Sequence, residues 1–541
     1  MTSPPVRARA RLVVGLVLAI LGLAPFGDGP AEAAAAAGPT YRSDVLVYGA
    51  TPGGVLAAVT ASRAGASVTL LEPTRHLGGM MSSGLSWTDI GDKTTLGGYT
   101  RQLFDRIAAL EGSQAARYAF EPHIAEAAFA SLLHSTSVSV RYGQRLAERG
   151  RIGKDGTRIT WIRTTTGTTY RASVFIDASY EGDLMARAGV SFRVGRESSS
   201  EYGESLGGVQ PALVIVADPM GARVPYVRSA PGPVGSADGR IQDANYRMCF
   251  SDDPANQVPF AQPAGYDRAD YEIVLRFLAE REVLTGQSAD LSWLLKLAPL
   301  AARKYDVNDN GLMSTAIPGL GWSWSALDVP ARALIAAKHR QNSAGLFWFL
   351  ANDPAVPDPV QTAISAYGLC ADEFTDNDHW PPLLYVRETR RMVGTFVLTQ
   401  EDVTSERQKA DIIGIGSYRI DAHLVSRWID AQGRLMGEGP LSGVYQDYAI
   451  PYGVIVPQAD EATNLLVPVA ASASHVAHSS LRMEPHYLLM GEAAGEAAAM
   501  AIRRGRGAVA GVAASTDVQL LDVSRLQARL KAHGAKLTNP P

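Results

Sequence analysis

Four titratable side chains lie close together in residues 472–485, near the C-terminal end of the chain. They are His475, His478, Arg482 and Glu484, and small or apolar residues separate them. A neutral histidine can accept the proton of an alcohol or an amine. An arginine can bind a carboxylate or stabilise negative charge. We therefore take His475, His478 and Arg482 as candidate catalytic residues.

Two other interpretations of this segment stay open. Arg482 and Glu484 can form a structural ion pair, with the two histidines as hydrogen-bond donors in the core. His475, His478 and Glu484 can also be combined into a set of three metal ligands. No H-E-x-x-H pattern or carboxylate-rich loop accompanies them, so the sequence predicts no metal.

A glycine-rich turn near the start of the chain predicts the element that must support such chemistry. Residues 45–48 form an apolar run typical of a buried parallel strand, and Gly49 begins a tight turn after it. Gly53 and Gly54 allow the Ala-rich helix that follows to begin close to the sheet. A pyrophosphate would lie at the N-terminus of this helix, where free N–H groups and the helix dipole favour negative charge.

A second apolar strand follows and ends at Glu72, which is 23 residues after Gly49. That spacing is near the ~20 residues expected for a carboxylate that accepts hydrogen bonds from a ribose. Thr51 stands where the pattern G-x-G-x-x-G has its middle glycine. We expect its hydroxyl to donate to the pyrophosphate, and Gly53 to supply the close approach of the backbone.

Further segments resemble those of a known family. The R-x-x-G-G sequence of Arg75-His76-Leu77-Gly78-Gly79, followed by Met80, comes directly after Glu72. Phe175-Ile176-Asp177-Ala178-Ser179 precedes a G-D pair, and the segment Gly491-Glu492-Ala493-Ala494-Gly495 lies near the end of the chain. With G-A-T-P-G-G at the first turn, the chain resembles the FAD-dependent oxidoreductases with two dinucleotide-binding domains. The resemblance covers most of residues 43–505.

The resemblance implies FAD as the cofactor and places residues 472–485 beside its isoalloxazine ring. A helix that begins near Pro485 would point its N-terminus at the flavin C2 carbonyl. The residues expected to bind FAD are Gly49, Thr51, Pro52, Gly53, Gly54, Glu72, Gly78, Gly79, Met80, Asp177, Ala178, Ser479 and Leu481.

The predicted fold class is α/β, with a Rossmann-like FAD-binding domain of parallel strands and helices and an inserted α+β substrate domain. We expect the FAD-binding domain at 38–189 and 441–541 and the substrate domain at 190–440. Within the latter, Asn245-Tyr246-Arg247 and the group Tyr418, Asp421 and His423 are polar candidates for the substrate pocket. Composition agrees with a globular enzyme, because 46% of the 541 residues are hydrophobic and 19% are charged.

Net charge is −4 and the basic residues are scattered, which argues against nucleic acid as a partner. The first 37 residues predict a cleavable signal peptide, since Arg7, Arg9 and Arg11 precede a short apolar run and Ala-rich cleavage sites. An uncleaved membrane anchor is the alternative. We therefore expect an exported bacterial protein, secreted or extracytoplasmic, with no stable membrane span in the mature chain. Cys249 and Cys370 can form a disulfide there or remain two thiols.

Three functions are compatible with these features. The first is an exported FAD-dependent oxidase or dehydrogenase that oxidises a small alcohol, amine or sugar derivative, with O₂ or a quinone-like compound as electron acceptor. The second is a flavoprotein lyase, hydratase or isomerase that uses FAD without net redox change. The third is an exported binding protein on a flavin fold.

Overall fold

The fold is described from a computed structural model that covers residues 38–147, 152–405, 407–443, 446–507 and 515–538. The predicted signal peptide lies outside the described residues. Among the described residues, no helix is both long and apolar enough to cross a bilayer.

Helices and strands alternate at both ends of the chain, and strands dominate its middle. The helices are α1 (Pro52–Arg63), α2 (Gly98–Leu110), α3 (Pro122–His134), α4 (Asp183–Arg187), α5 (Glu272–Thr285), α6 (Val329–Asn352), α7 (Asp358–Ser365), α8 (Gln400–Thr404), α9 (His475–Leu481), α10 (Glu484–Arg506) and α11 (Val523–Ala532). The strands of the first half are β1 (Thr40–Tyr48), β2 (Val68–Glu72), β3 (Ser139–Tyr142), β4 (Gly153–Asp155), β5 (Arg158–Arg163), β6 (Thr169–Asp177), β7 (Phe192–Arg193), β8 (Leu213–Val216), β9 (Ala244–Asn245), β10 (Met248–Ser251) and β11 (Gln257–Val258). Those of the second half are β12 (Leu295–Pro299), β13 (Lys304–Asp309), β14 (Gly368–Cys370), β15 (Tyr385–Val386), β16 (Arg391–Met392), β17 (Ile412–Ser417), β18 (Asp421–Ala422), β19 (Ser426–Ile429), β20 (Leu435–Glu438), β21 (Leu441–Ser442), β22 (Asp447–Pro451) and β23 (Leu465–Leu466).

A largely parallel sheet forms the first layer of the nucleotide-binding unit. Its strands run in the order β3-β2-β1-β6, and β23 pairs in parallel with the C-terminal half of β6. β5 and β4 extend the other half of β6 antiparallel. The carboxyl ends of β1, β2 and β6 therefore meet at one edge, which is where open α/β sheets bind their ligands. The predicted α/β class and its Rossmann-like sheet are confirmed.

Helices α1 and α10 pack against each other at unusually short range. A Cβ at Gly491 would lie 2.0 Å from the carbonyl oxygen of Gly53, and one at Gly495 would lie 2.3 Å from that of Ala57. The two glycines of α10 are thus explained, because a larger side chain at either position would push the two helices apart. Buried residues of both helices belong to one hydrophobic core with those of β1 and β2.

A second unit is built on an antiparallel sheet of order β11-β14-β10-β13-β12. Residues of α5, α6 and α7 share its hydrophobic core. The register that pairs Phe250 with Leu369 places Cys249 opposite Cys370, and these two cysteines form a disulfide. The predicted substrate domain therefore contains a separate core of mixed α and β structure.

The two hydrophobic cores do not separate at the predicted domain boundaries, residues 190 and 440. Leu398, Ile412 and Ile420 belong to the core of the nucleotide-binding sheet, although they lie inside the predicted insertion. Leu424 and Leu435 belong to the core of the second unit. The chain thus returns to the first core near residue 398, and the domain limits stay a prediction.

Candidate active site

The first turn after β1 requires glycine at two positions. Gly49 has a φ of +96°, a left-handed conformation that favours glycine. A Cβ at Gly54 would lie 1.9 Å from the carbonyl oxygen of Gly49. Because of this contact, α1 can begin directly against the end of β1. Its free N–H groups consequently face the edge where the parallel strands end.

Thr51 holds this turn together from within the protein. Its Oγ1 accepts a hydrogen bond from the Gly54 amide at 3.2 Å and so caps α1. The same hydroxyl donates to the carbonyl oxygen of Ala178 at 2.8 Å, which ties the turn to the end of β6. The expectation that this hydroxyl donates to a pyrophosphate is corrected, since its one proton is already used.

Gly53 has a packing role that the sequence did not predict. A Cβ there would lie 2.7 Å from the carbonyl oxygen of Tyr487. Gly53 therefore allows the close approach of α1 to α10, and its approach to a phosphate stays a prediction.

Glu72 ends β2 and is buried beside the turn. Its two carboxylate oxygens accept hydrogen bonds from the amides of Ala50 at 2.8 Å and Thr74 at 2.7 Å. Burial raises the pKa of the Glu72 carboxyl, while these hydrogen bonds oppose that shift. Each oxygen retains a lone pair, so the residue is positioned to accept hydrogen bonds from a ribose.

The Gly78-Gly79 turn closes over the first turn. The Gly78 amide donates to the carbonyl oxygen of Ala50 at 2.8 Å, with Gly78 at a φ of +86°. A Cβ at Gly79 would lie 2.5 Å from the hydroxyl of Tyr180. The amide of the next residue, Met80, donates to that hydroxyl at 2.9 Å.

These elements form the wall of a cavity of about 360 Å³, which we name the strand-end cavity. Five of the residues expected to bind FAD line it: Gly49, Thr51, Glu72, Gly79 and Met80. Other side chains also line it, including Tyr48, Arg145, Tyr180, Trp324, Arg332 and Tyr385. Tyr246, from the predicted polar trio, lines it as well.

The other residues expected to bind FAD lie behind this wall. Asp177 accepts hydrogen bonds from the amides of Ser179 and Met185 at 3.0 and 2.7 Å, and burial raises its pKa to about 6. Pro52, Gly78 and Ala178 shape the turns. Ser479 and Leu481 do not line the cavity: the Ser479 hydroxyl donates to the His475 carbonyl, and Leu481 lies in the core.

A second, smaller cavity of about 60 Å³ adjoins the first, and Tyr385 lines both. We name it the polar cavity, since charged and polar side chains dominate its wall. Its lining residues are Trp87, Asp89, Arg247, Lys296, Ala298, Asp306, Asn308, Tyr385, Tyr418, Arg419, Asp421, His423 and Arg482. Arg247 of the predicted polar trio and all three candidates of the group Tyr418, Asp421 and His423 are among them.

Arg482 connects this cavity to the helix pair α9 and α10. Its Nη1 donates to the Tyr385 hydroxyl at 2.5 Å, and its Nη2 donates to the Asp421 carbonyl at 2.8 Å. The side chain is almost fully buried, and Nε has no hydrogen-bond partner among the described residues. Of the three predicted catalytic residues, Arg482 is therefore the one that lines a cavity.

The two histidines of the same segment lie elsewhere. His475 Nδ1 is 2.9 Å from a carboxylate oxygen of Glu388, and His478 Nε2 is 3.3 Å from the carbonyl oxygen of Arg387. Burial lowers the pKa of His478 to about 3. Neither residue lines the polar cavity or the strand-end cavity, so the geometry gives no support to their role as base.

The proposed ion pair between Arg482 and Glu484 is also absent from the described contacts. Instead, the Tyr180 hydroxyl donates to Glu484 Oε1 at 2.7 Å, and Glu484 Oε2 is buried without a partner among the described residues. Burial raises the pKa of the Glu484 carboxyl to about 8. Each of these two residues thus supports a tyrosine of the cavity wall.

Two carboxylate–histidine groups among the described residues have the spacing of metal ligands. They are Glu121 with His123 and Glu373, and Asp243 with Asp309 and His423. A cationic side chain already lies in each. Lys304 Nζ is 2.9 Å from Glu373, and Arg387 Nη2 is 2.6 Å from Asp309. The candidate set of His475, His478 and Glu484 does not come together.

The fold and the strand-end cavity are those of a nucleotide-binding protein. Sequence comparison identifies the family to which it belongs. A family model described as FAD dependent oxidoreductase matches residues 44–530. The chain belongs to this family and is an FAD-dependent oxidoreductase. Among curated proteins, none matches it significantly.

Solved structures give distant similarities. A geranylgeranyl bacteriochlorophyll reductase-like protein from Thermoplasma acidophilum is 11% identical, with 92% of this chain and 85% of that one covered and a TM-score of 0.35. The anhydrotetracycline hydroxylase OxyS from Streptomyces rimosus is 15% identical, with 33% and 43% covered and a TM-score of 0.23. THI4 from Thermovibrio ammonificans is 15% identical, with 36% and 76% covered and a TM-score of 0.22. Similarity at these scores adds nothing to the family assignment, which rests on the sequence match.

Proposed function

We propose that this flavoenzyme oxidises a small polar organic molecule, such as an alcohol, an amine or a sugar derivative. The observation that carries the proposal is that Tyr385 lines both the strand-end cavity and the polar cavity, so the two cavities adjoin there. A substrate in the polar cavity would meet a cofactor in the strand-end cavity at this shared wall. Hydride transfer to a flavin requires direct contact of the reacting atoms, at about 3–3.5 Å.

The residues of the strand-end cavity fit FAD. Glu72 would accept hydrogen bonds from the adenosine ribose, and the turns at Gly49 and Gly79 would hold the pyrophosphate. The close contacts of Gly54 and Gly79 support this assignment, because larger side chains there would fill the turn. FAD supplies the acceptor for a hydride, at N5 of the ring.

The charges of the polar cavity support a polar substrate. Arg247 forms two hydrogen bonds with Asp306, at 3.0 and 2.6 Å, and this pair is buried. Arg482 donates to the Tyr385 hydroxyl, and its buried Nε–H has no partner among the described residues. A polar group of the substrate that reached this donor would satisfy it, whereas an apolar group would leave it unpaired at a cost of ~1–3 kcal/mol.

The electron acceptor is proposed to be O₂ or a quinone-like compound. The sequence carries one dinucleotide fingerprint, and residues 189–195 contain no G-x-G-x-x-G. A nicotinamide-binding domain of that kind is therefore not indicated. We expect NADH and NADPH to reduce the flavin slowly or not at all.

Export is supported by the signal-like composition of the first 37 residues and by the disulfide between Cys249 and Cys370. Structural disulfides persist mainly in oxidising compartments. Mass spectrometry of the protein from its native host would test this. The mature N-terminus should follow the Ala-rich segment, and unreduced protein should contain no free thiol.

Anaerobic spectroscopy tests the reaction itself. The purified holoenzyme would be mixed with glycerol, D-glucose, D-gluconate and ethanolamine, and the flavin absorbance near 450 nm followed. Bleaching by one of these compounds, reversed by air or a quinone, is the expected result. Turnover without bleaching would instead indicate non-redox use of FAD, and rapid bleaching by NADH alone would contradict the proposed electron donor.

A further inference from the structure

His423 lies in the wall of the polar cavity with one ring nitrogen fixed by a buried carboxylate. It follows β18 in the chain and lines the cavity. Its Nδ1 is 3.2 Å from Oδ2 of Asp309, the last residue of β13. The His423 side chain is 21% exposed and that of Asp309 is 5% exposed. The carboxylate is therefore on the core side of the ring.

Asp309 is itself held in place as an anion. Its Oδ1 accepts a hydrogen bond from Arg387 Nη2 at 2.6 Å. Arg387 is in turn fixed by Asp243 at 3.1 Å and by the Asn245 side-chain oxygen at 2.8 Å. Burial alone would raise the pKa of Asp309, but Arg387 and His423 hold it well below its usual range. An ionised Asp309 can only accept a hydrogen bond. A neutral His423 must therefore carry its proton on Nδ1 to donate to it.

That arrangement leaves Nε2 of His423 unprotonated. Among the described residues, none forms a hydrogen bond with it, while the backbone amide of His423 is bound to the Gln242 side chain at 3.1 Å. A ring with one nitrogen oriented by a carboxylate and the other free at a cavity wall is the arrangement of a general base.

The same three residues, Asp243, Asp309 and His423, have the spacing of metal ligands. The Arg387 guanidinium lies between the two carboxylates and already compensates their charge. A divalent cation there would face this guanidinium at short range. The contacts consequently favour a base over a metal ligand.

We propose that His423 is the catalytic base of this enzyme and that Asp309 is its positioning residue. The proposal rests on the proposed function, with substrate in the polar cavity. The O–H or N–H proton of the substrate goes to His423 Nε2, and the adjacent C–H bond breaks with its electron pair. That hydride reduces the oxidised FAD, and the substrate is released with a new C=O or C=N bond.

The test compares wild-type enzyme with His423→Ala and His423→Gln, after FAD occupancy has been shown to be equal. The reductant is whichever of glycerol, D-glucose, D-gluconate or ethanolamine bleaches the wild-type flavin fastest. Both variants should reduce the flavin about 10²–10⁴-fold more slowly. Added imidazole should restore part of the rate in His423→Ala, whose cavity can admit it, and not in His423→Gln. His134→Ala, an exposed site at the end of α3, is the control.

The possible failures can be told apart. If none of these compounds bleaches the wild-type flavin, the result contradicts the proposed function and not the assignment of the base. If wild-type and both variants are reduced at equal rates, the base is not His423. A stoichiometric metal in the wild-type protein that is lost in both variants would overturn the base in favour of a metal ligand.

Discussion

At the scale of single residues, Arg482 links the predicted catalytic segment to the cavities. Replacing it with methionine removes the donor to the Tyr385 hydroxyl and the free Nε–H. A charge-assisted hydrogen bond of this kind contributes ~1.5–3 kcal/mol. We expect flavin reduction by the organic substrate to slow by about 10–100-fold, as measured by anaerobic stopped flow.

FAD occupancy should be unchanged in Arg482→Met, because Arg482 does not line the strand-end cavity. Arg276→Met, an exposed site on α5, is the matched control. Wild-type reduction kinetics in Arg482→Met would exclude the residue from the site.

Glu484 makes a prediction about pH. Burial raises its pKa from 4.5 to about 8, so the folded state binds its proton more tightly than the unfolded state. The contribution of this carboxyl to the free energy of unfolding is complete below pH 4.5 and is lost as the pH rises to about 8. Glu484→Gln should therefore increase Tm relative to wild type, and the increase should grow from pH 5 to pH 8.

Thermal unfolding across that range measures the effect. Asp460→Asn, at an exposed site with no ion pair among the described contacts, is the matched control. A pH-independent difference for Glu484→Gln would show that its carboxyl is already ionised in the folded protein.

Some residues of the candidate site could be predicted from the sequence, and others could not. Arg482, Tyr246 and Arg247 were identified from their types, and all three line a cavity. His475 and His478 had the right chemistry, but buried partners elsewhere bind them. The partners, Glu388 and the Arg387 carbonyl, are about 90 residues away in the chain, so no local pattern could reveal them.

At the scale of elements, the approach of α1 to β1 determines whether the nucleotide can bind. In Gly54→Leu, the Cβ of the new side chain would lie 1.9 Å from the Gly49 carbonyl oxygen. The helix must then move away from the strand end, and we expect apoprotein. Gly239→Leu is the control, because nothing lies within 4 Å of a Cβ there. The ratio of flavin to protein absorbance measures the result, and full occupancy in Gly54→Leu would contradict it.

Long elements were predictable and short ones were not. Helical sequence patterns at 271–284 and 330–350 predict two long helices within the inserted domain, and the structure contains α5 and α6 there. Tyr385 instead comes from β15, a two-residue strand paired with β9. Strands of two residues carry no periodic signal, and their pairing across the chain depends on the tertiary fold.

At the scale of the whole molecule, two cores meet at the site. The nucleotide-binding sheet supplies Gly49, Glu72 and Gly79, and the second unit supplies Asp306 and Asp309. The sequence predicted a nucleotide-binding domain and an inserted unit. It did not predict that Tyr385 would line both cavities, because that depends on how the two units are placed relative to each other.

Filling the polar cavity would test whether the substrate lies there. Ala298 lines this cavity from β12, and leucine there would fill a space of about 60 Å³ without touching the strand-end cavity. Anaerobic reduction of the flavin would be compared in wild type, Ala298→Leu and the exposed control Ala217→Leu. We predict that Ala298→Leu retains FAD and is reduced by dithionite, but is no longer reduced by the organic substrate. Reduction of Ala298→Leu at the wild-type rate by that substrate would show that the substrate binds elsewhere.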